Sequence, residues 1–146
     1  MNRPFKLYLI GSLRNPEVIN ITVKLQEQGI DVFSDWFAAS ENADDSWRDY
    51  EKARGYTYLE ALKRPAARNV FEFDKRHLEA SDGALLIYPA GRSGHLELGW
   101  MAGKGKWTGI LIDDPERWDV MLSFSDLVTD NLEEVISIIK ERCDDT

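Results

Sequence analysis

The chain has 146 residues, 43% of them hydrophobic and 30% charged, which is enough apolar content for one ordinary globular core. Its formal net charge of −8 argues against a nucleic-acid polymer as partner, because binding the phosphate backbone requires a basic surface. The single cysteine, Cys143, argues against both a disulfide and a zinc site. A small anion held by a few arginines is compatible with this composition, and we expect no metal and no other cofactor.

The sequence predicts neither a targeting signal nor a membrane span. No apolar run approaches about 18 residues, and Met1-Asn2-Arg3-Pro4 leads directly into a short predicted strand. We therefore expect a cytoplasmic protein that does not contact a membrane and that folds as a single domain over residues 1–146.

The chain begins with a strand, a turn and a helix. Residues 5–10 form an apolar run of strand length, and the helix that follows ends at about Gln28 with Gly29 as its stop. Between them lies a turn in which Gly11 allows close backbone approach, Ser12 offers a hydroxyl and Arg14 can contact a phosphate at a helix N-terminus. The alternative interpretation is an ordinary β-to-α turn with an exposed arginine.

A second strand at residues 30–33 is followed by a polar, acidic loop over residues 34–46 that contains Trp36. Trp36 is a candidate for stacking on a nucleobase, although aromatic residues in such segments are more often part of the core. A helical stretch begins near Asp45 or Ser46 and continues to Leu62, before Pro65 breaks it, and Gly55 is a candidate interruption within it.

The next helix is predicted from Ala66 to Ala80, with apolar residues spaced for one face and Asp74 adjacent to that face. Asp74 is either a solvated helix charge or part of a site. The two histidines, His77 and His95, lack metal-ligand spacing, so we interpret them as structural or surface residues. Asp82 is expected to cap the entry to the following strand.

Residues 81–113 predict a strand-loop-helix-strand unit, around which the chain is organised. Residues 84–88 and 108–112 are continuous apolar runs, the pattern of parallel strands covered on both faces, and the link between them is long enough for a right-handed helical crossover. Gly91, Arg92, Ser93 and Gly94 lie where the strand ends and the helix starts, so backbone N–H groups there can face an anion.

Glu97 follows this loop, at the carboxyl end of a buried strand, where open α/β sheets place their ligands. With Gly94 as N-cap, Glu97 would occupy the N3 position of the helix. It is then either a capping acid or a functional carboxylate, and the helix dipole would keep it ionised in both cases.

The C-terminal third predicts a short helix at residues 118–122, a strand at residues 126–128 and a closing amphipathic helix capped by Thr129 or Asp130. Together the elements predict an α/β fold: a parallel sheet of about five strands with helices on both faces, flavodoxin-like in arrangement.

Two motifs resemble a known family. The run Ser93-Gly94-His95-Leu96-Glu97-Leu98-Gly99-Trp100, with the apolar strand after it, resembles the hallmark of the nucleoside 2-deoxyribosyltransferase-like superfamily, and Gly11-Ser12-Leu13-Arg14 resembles its G-S-I-R segment. The superfamily includes transferases and deoxynucleoside 5'-monophosphate N-glycosidases. The likeness covers most of the chain and is weak between residues 34 and 66.

The resemblance implies a role for each matching residue. Glu97 would be the nucleophile that attacks the anomeric carbon of the sugar, and Asp74 would take part in protonating the base. The segment from Gly11 to Arg14 would hold the 5'-phosphate. Many nucleoside transferases of the superfamily carry an acidic residue where this chain has Gly91 and Arg92, and an arginine there suits a phosphate better.

The activity implied by the resemblance is cleavage of the N-glycosidic bond of a (2'-deoxy)nucleoside 5'-monophosphate, by hydrolysis or base transfer, through a covalent glycosyl-glutamate. The partner would be a small nucleotide or nucleoside, and the protein would be a homo-oligomer. Two other hypotheses stay open, a non-catalytic nucleotide-binding module and a glycohydrolase of NAD-like dinucleotides, because a fold does not fix a function.

Overall fold

A parallel five-stranded sheet forms the centre of the molecule, with helices on both of its faces. The computed structural model describes residues 3–39 and 41–144. The strands are β1 (Lys6–Ile10), β2 (Asp31–Phe33), β3 (Gly83–Ile87), β4 (Trp107–Leu111) and β5 (Leu127–Thr129). The helices are α1 (Glu17–Glu27), α2 (Ala43–Ala53), α3 (Tyr58–Ala61), α4 (Pro65–Ala80), α5 (Arg92–Gly103) and α6 (Leu132–Asp144). Short 3-10 turns lie at Asp35–Ala38 and Val120–Phe124.

The strand order is β2-β1-β3-β4-β5, and every neighbouring pair is parallel. In the register of the sheet, Tyr8 lies opposite Phe33 on one side and Ala84 on the other. This order confirms the predicted fold class, a flavodoxin-like α/β sheet in which the order of strand addition reverses between β1 and β3.

Each face of the sheet has its own core. On one face, α1 and α6 pack on β1 and β3, and the central buried residues there are Leu7, Leu9, Val18, Leu25, Leu85, Val135 and Ile139. On the other face, α4 and α5 pack on the same strands, and the buried residues are Tyr8, Ile10, Phe33, Leu78, Ala84, Leu86, Leu98, Met101 and Ile110. The alternation along β1 sends odd and even residues to opposite faces, and this explains the continuous apolar runs in the sequence.

Most predicted elements exist, but some differ from the prediction. The helical stretch predicted from Asp45 or Ser46 to Leu62 is two helices, α2 and α3, because Gly55 interrupts it in the left-handed conformation (φ 87°). The helix predicted at residues 118–122 is the 3-10 turn Val120–Phe124.

Other boundaries follow from single residues. Gly29 adopts the left-handed conformation (φ 81°) that ends α1, as predicted. Pro65 begins α4 as its first residue, since proline fits the first helical turn. The cap of α6 is neither Thr129 nor Asp130. Asn131 takes that role, because its Oδ1 atom accepts a hydrogen bond from the backbone N–H of Glu133 at 2.9 Å.

Hydrogen bonds join the C-terminal end of α4 and the residues after it to the N-terminal ends of the strands. Asp82 accepts a hydrogen bond from the Lys6 backbone N–H at 2.8 Å and pairs with Arg3, so it joins β3 to β1 at the point where the sequence predicted a cap. Lys106 donates from its Nζ atom to the carbonyls of Leu78, at 3.1 Å, and Ser81, at 2.7 Å. These bonds fix where α4 lies along the sheet.

The predicted domain spans residues 1–146, and its positions 1, 2, 40, 145 and 146 lie outside the described residues. Among the helices that the structure describes, none is both long and apolar enough to cross a bilayer.

Candidate active site

The crevice between the carboxyl ends of β1 and β3 is the place where ligands bind in open α/β sheets, because the loops there leave toward opposite faces. The loop after β1 leads to α1 on one face, and the loop after β3 leads to α5 on the other. The two loops come close together: a Cβ atom built on Gly11 would lie 3.8 Å from the carbonyl oxygen of Ile87. The two sequence motifs therefore meet at one crevice.

Helix α5 begins earlier than the sequence predicted, and this changes the environment of Glu97. Gly91, not Gly94, is the N-cap, and Arg92 is the first helical residue. Glu97 is then the sixth residue of α5 and lies in its second turn, so it cannot cap the free N–H groups of the first turn. The capping interpretation of Glu97 is wrong for this reason.

Gly94 has a packing role. A Cβ atom built on it would lie 2.9 Å from Cγ2 of Ile10 and 3.4 Å from Cβ of Ala90, so only glycine lets α5 approach β1 this closely. Glu97 follows one turn later on the same side of the helix, facing the sheet. The close contact at Gly94 thus sets the height of Glu97 above β1.

The carboxyl group of Glu97 lies between β1 and α4. The Tyr8 hydroxyl donates a hydrogen bond to it, and the charge of Asp74 acts on it from α4. Its Oε2 atom is buried and has no hydrogen-bond partner among residues 3–39 and 41–144. A buried, unbonded carboxylate oxygen is rare in proteins, because leaving one costs about 1–3 kcal/mol or more, and it marks a candidate for chemistry.

Burial raises the pKa of Glu97 to about 7, while the hydrogen bond from Tyr8 lowers it and the charge of Asp74 raises it. The helix dipole therefore does not hold the pKa of Glu97 low, contrary to the expectation. The dipole acts at the first turn, and Glu97 lies beyond it in a site that disfavours charge.

Asp74 lies in the middle of α4 and is half-buried. Burial raises the pKa of its carboxyl group, and the charge of His77 opposes that rise. Its half-buried position and its effect on the pKa of Glu97 favour the site interpretation of Asp74 over a fully solvated charge. Two carboxyl groups with raised pKa values in one crevice tend to share protons.

Tyr8 is the site residue that sequence reasoning missed. It is 1% exposed in the middle of β1, and burial, with the charges of Glu97 and Asp74, raises the pKa of its hydroxyl far above the usual value. Tyr8 thus stays a neutral hydrogen-bond donor. A signal existed in the sequence, since a phenol inside an otherwise apolar strand needs a partner for its O–H group.

The loop after β1 holds its polar groups in a tight turn. The Oγ atom of Ser12 accepts a hydrogen bond from the Arg14 backbone N–H at 3.1 Å, and the Asn15 side chain accepts one from Glu17 at 3.0 Å. The Arg14 side chain is exposed and makes no hydrogen bond or ion pair among the described residues. This loop therefore presents a free guanidinium at the start of α1.

The loop after β3 is held by a histidine. The Nδ1–H group of His95 donates to the Gly91 carbonyl at 2.8 Å, and its Nε2 atom lies 2.6 Å from the Tyr88 hydroxyl. His95 thus has the structural role predicted for it. Arg92 and Ser93 lie in the first turn of α5 with exposed side chains.

Trp36 packs against both cores from the 3-10 turn after β2. Its Nε1–H group donates to the Leu9 carbonyl at 2.7 Å, and its ring lies 3.7 Å from the position of a Cβ atom built on Gly11. The residue is half-buried, and these contacts favour the core interpretation. A role in stacking on a base stays a prediction.

Comparisons with known proteins bear on the fold. No protein-family model matches the sequence, and no curated protein matches it by sequence. Solved structures do match. A conserved protein from Enterococcus faecalis V583 superposes with a TM-score of 0.64 at 12% sequence identity, over 95% of this chain and 99% of that chain.

Two further matches are enzymes by their descriptions. The CMP N-glycosidase BcmB of Clostridium botulinum has a TM-score of 0.56 at 12% identity, over 92% of this chain and 98% of its own. A 2-deoxyribosyltransferase from the psychrotolerant bacterium Bacillus psychrosaccharolyticus has a TM-score of 0.59 at 18% identity, over 90% of both chains. The chain therefore shares its fold with these three proteins.

Proposed function

We propose that this protein cleaves the N-glycosidic bond of a (2'-deoxy)nucleoside 5'-monophosphate, with Glu97 as nucleophile and Asp74 as proton donor. The observation that carries the proposal is the buried Glu97 carboxyl group, with one oxygen unbonded and with Tyr8 and Asp74 beside it. The fold shared with a CMP N-glycosidase and a 2-deoxyribosyltransferase supports this class of reaction.

Cleavage of an N-glycosidic bond passes through a state that resembles an oxocarbenium ion, so it requires a carboxylate at the anomeric carbon. In the first step, an oxygen of ionised Glu97 bonds to that carbon while the bond from carbon to the base nitrogen breaks. Asp74 gives its proton to the departing base. The free Oε2 atom of Glu97 has no bond to break before it attacks.

In the second step, water or a second base attacks the same carbon and releases Glu97. Asp74 now accepts the proton of the attacking group, so the two carboxyl groups return to their starting state. The Tyr8 hydroxyl holds the Glu97 carboxylate in place and lowers its pKa, which favours the nucleophilic form.

The 5'-phosphate would lie where the two loops meet. Arg14 and Arg92 are exposed, and their guanidinium groups have no partner among the described residues, so both are available for a dianion. The Ser12 and Ser93 hydroxyls and the backbone N–H groups near Gly11 and Gly91 would complete the site. Gly94 serves by packing α5 against β1.

The proposal is tested by incubating the protein with nucleosides, nucleoside 5'-monophosphates and NAD, and measuring free base by chromatography. We expect base from the monophosphates, at least about tenfold faster than from the nucleosides, because charge-assisted contacts are worth roughly 1.5–3 kcal/mol each. Release from NAD alone would indicate a dinucleotide glycohydrolase. No release from any compound, with binding retained, would indicate a non-catalytic module.

The homo-oligomer predicted from the resemblance is also a proposal. It is supported by large apolar side chains that stand exposed on α3 and on the first half of α4, Tyr58 at 66%, Leu59 at 70% and Val70 at 62%. Light scattering measures it, and a monomer at micromolar concentration would contradict it.

A further inference from the structure

His77 lies one turn after Asp74 on α4, and its ring is held on two sides. The imidazole stacks on the Phe33 ring with centroids 3.9 Å apart and planes 10° from parallel. It also meets the Phe73 ring edge-on, with centroids 4.7 Å apart. Phe33 in turn contacts Tyr8, at a centroid distance of 5.2 Å. The imidazole therefore has a fixed plane beside the candidate active site.

Two ion pairs within α4 lie on its outer side. Arg68 pairs with Glu72 at 2.7 Å, and Lys75 approaches Glu79 at 3.8 Å, all with side chains at least 41% exposed. Residues three apart on a helix are neighbours, so His77 is adjacent to Asp74 on the inner side. The charge of His77 acts on Asp74, as expected from this position.

We propose that His77 is a positioning residue of the candidate active site: held flat against Phe33, its imidazole determines how readily Asp74 keeps the proton that the departing base requires. The inference rests on the proposed role of Asp74 as proton donor. His77 would act through Asp74 and would not touch the substrate.

The sign of the effect follows from charge. A positive imidazole stabilises the ionised form of Asp74 and so lowers the pKa of the proton donor. Without that positive charge, burial raises the pKa of Asp74 and favours its protonated form. Histidine side chains commonly change charge between pH 5 and 8. The titratable groups of the neighbouring elements that interact with Asp74 are Glu97 on α5 and Tyr8 on β1, and the charge of Asp74 raises the pKa of both.

The test is a carbon-13 NMR titration of the aspartate carboxyl groups, in which the Asp74 signal is identified by its loss in Asp74→Asn. His77→Phe keeps a flat ring against Phe33 without the charge, and His77→Gln removes the charge with a smaller, polar side chain. In both variants we expect the Asp74 midpoint to rise by roughly half a pH unit, about a threefold change in proton affinity.

The control is His95→Gln, which removes the only other histidine of the chain, on α5 and bonded to Gly91. It should leave the Asp74 midpoint unchanged. The inference is overturned if the midpoint in both His77 variants equals that of the wild type, or if His95→Gln moves it equally. Because the titration needs no substrate, a protein that releases no base would refute the proposed function separately from this result.

Discussion

The two halves of the candidate active site differ in how completely the protein chain builds them. Glu97, Asp74 and Tyr8 lie between α4, α5 and β1. Burial raises the pKa of all three groups, and the charge of Asp74 raises the pKa of Glu97 and Tyr8 further. Arg14 and Arg92 stand exposed at the two loops and have no partner among the described residues. The comparison teaches that the core places the candidate catalytic carboxyl groups, whereas the proposed anion site needs a ligand to complete it.

The largest expected effect comes from the interior half. Glu97→Gln keeps the shape of the side chain and removes the nucleophile, so we expect base release to fall at least about a thousandfold. Circular dichroism should show an unchanged fold, and Glu116→Gln, a change of the same kind at an exposed residue, should keep full activity. Turnover by Glu97→Gln within tenfold of the wild type would remove Glu97 from the mechanism.

The next effect separates the two carboxyl groups of the interior half. Asp74→Asn should slow substrates with poor leaving groups by roughly a hundredfold or more, and activated substrates much less, since only the former need the proton. The measurement is the ratio of kcat/KM between the two substrate kinds. Glu72→Gln, on the outer side of α4, is the matched control, and an equal loss for both substrate kinds in Asp74→Asn would make Asp74 a structural residue.

A smaller effect is expected from Tyr8→Phe, and it depends on pH. Without the hydrogen bond from Tyr8, the pKa of Glu97 rises above its value of about 7, so less of the nucleophile is ionised at neutral pH. We expect kcat/KM to fall roughly tenfold at pH 6 and the loss to shrink as the pH passes 8. A loss of the same size at every pH would assign Tyr8 a purely structural role.

The exposed half should respond more weakly and only to one kind of substrate. Arg14→Ala should raise KM for the monophosphate by roughly five- to tenfold and leave the slow nucleoside reaction nearly unchanged, because the lost contact concerns only the phosphate. Arg117→Ala, at another exposed arginine, is the control. A defect of equal size on both substrates would place the phosphate elsewhere.

The last effect concerns stability. It tests whether ionising the buried Glu97 carboxyl group lowers the free energy of unfolding. The pKa of Glu97 is raised in the folded protein from 4.5 to about 7, so its protonated form contributes stability that is complete below pH 4.5 and lost as the pH rises through 7. Between those values the wild type should lose roughly 2–3 kcal/mol of unfolding free energy relative to Glu97→Gln. The measurement is the denaturant midpoint of each protein between pH 4.5 and 7. A difference between the two midpoints that stays constant over this range would contradict the raised pKa of Glu97.

The fold could be predicted because its strands are continuous apolar runs, which only a parallel sheet covered on both faces explains. The start of α5 could not, because Gly91 and Gly94 are equally good caps by residue type. What decides between them is the contact of Gly94 with Ile10, more than 80 residues away in the chain. Contacts of this kind are absent from local patterns.

For the candidate active site, residue types and the family resemblance named Glu97 and Asp74, but not their protonation. A raised pKa depends on burial, and burial is a property of the assembled core. Tyr8 was predicted only as one residue of a strand. Its hydroxyl interacts with the carboxyl groups of Asp74 on α4 and Glu97 on α5, and the sequence does not show how these two helices lie relative to each other.

The contact between Gly94 and Ile10 has an evolutionary consequence. A methyl group at position 94 would meet the Ile10 side chain at 2.9 Å and would move the turn of α5 that carries Glu97. Position 94 is therefore constrained twice, by the packing of the hydrophobic core and by the placement of Glu97, the proposed nucleophile. Positions 10 and 94 should therefore change slowly among related sequences, although neither residue touches a substrate. A related sequence without glycine at position 94 should also lack Glu97.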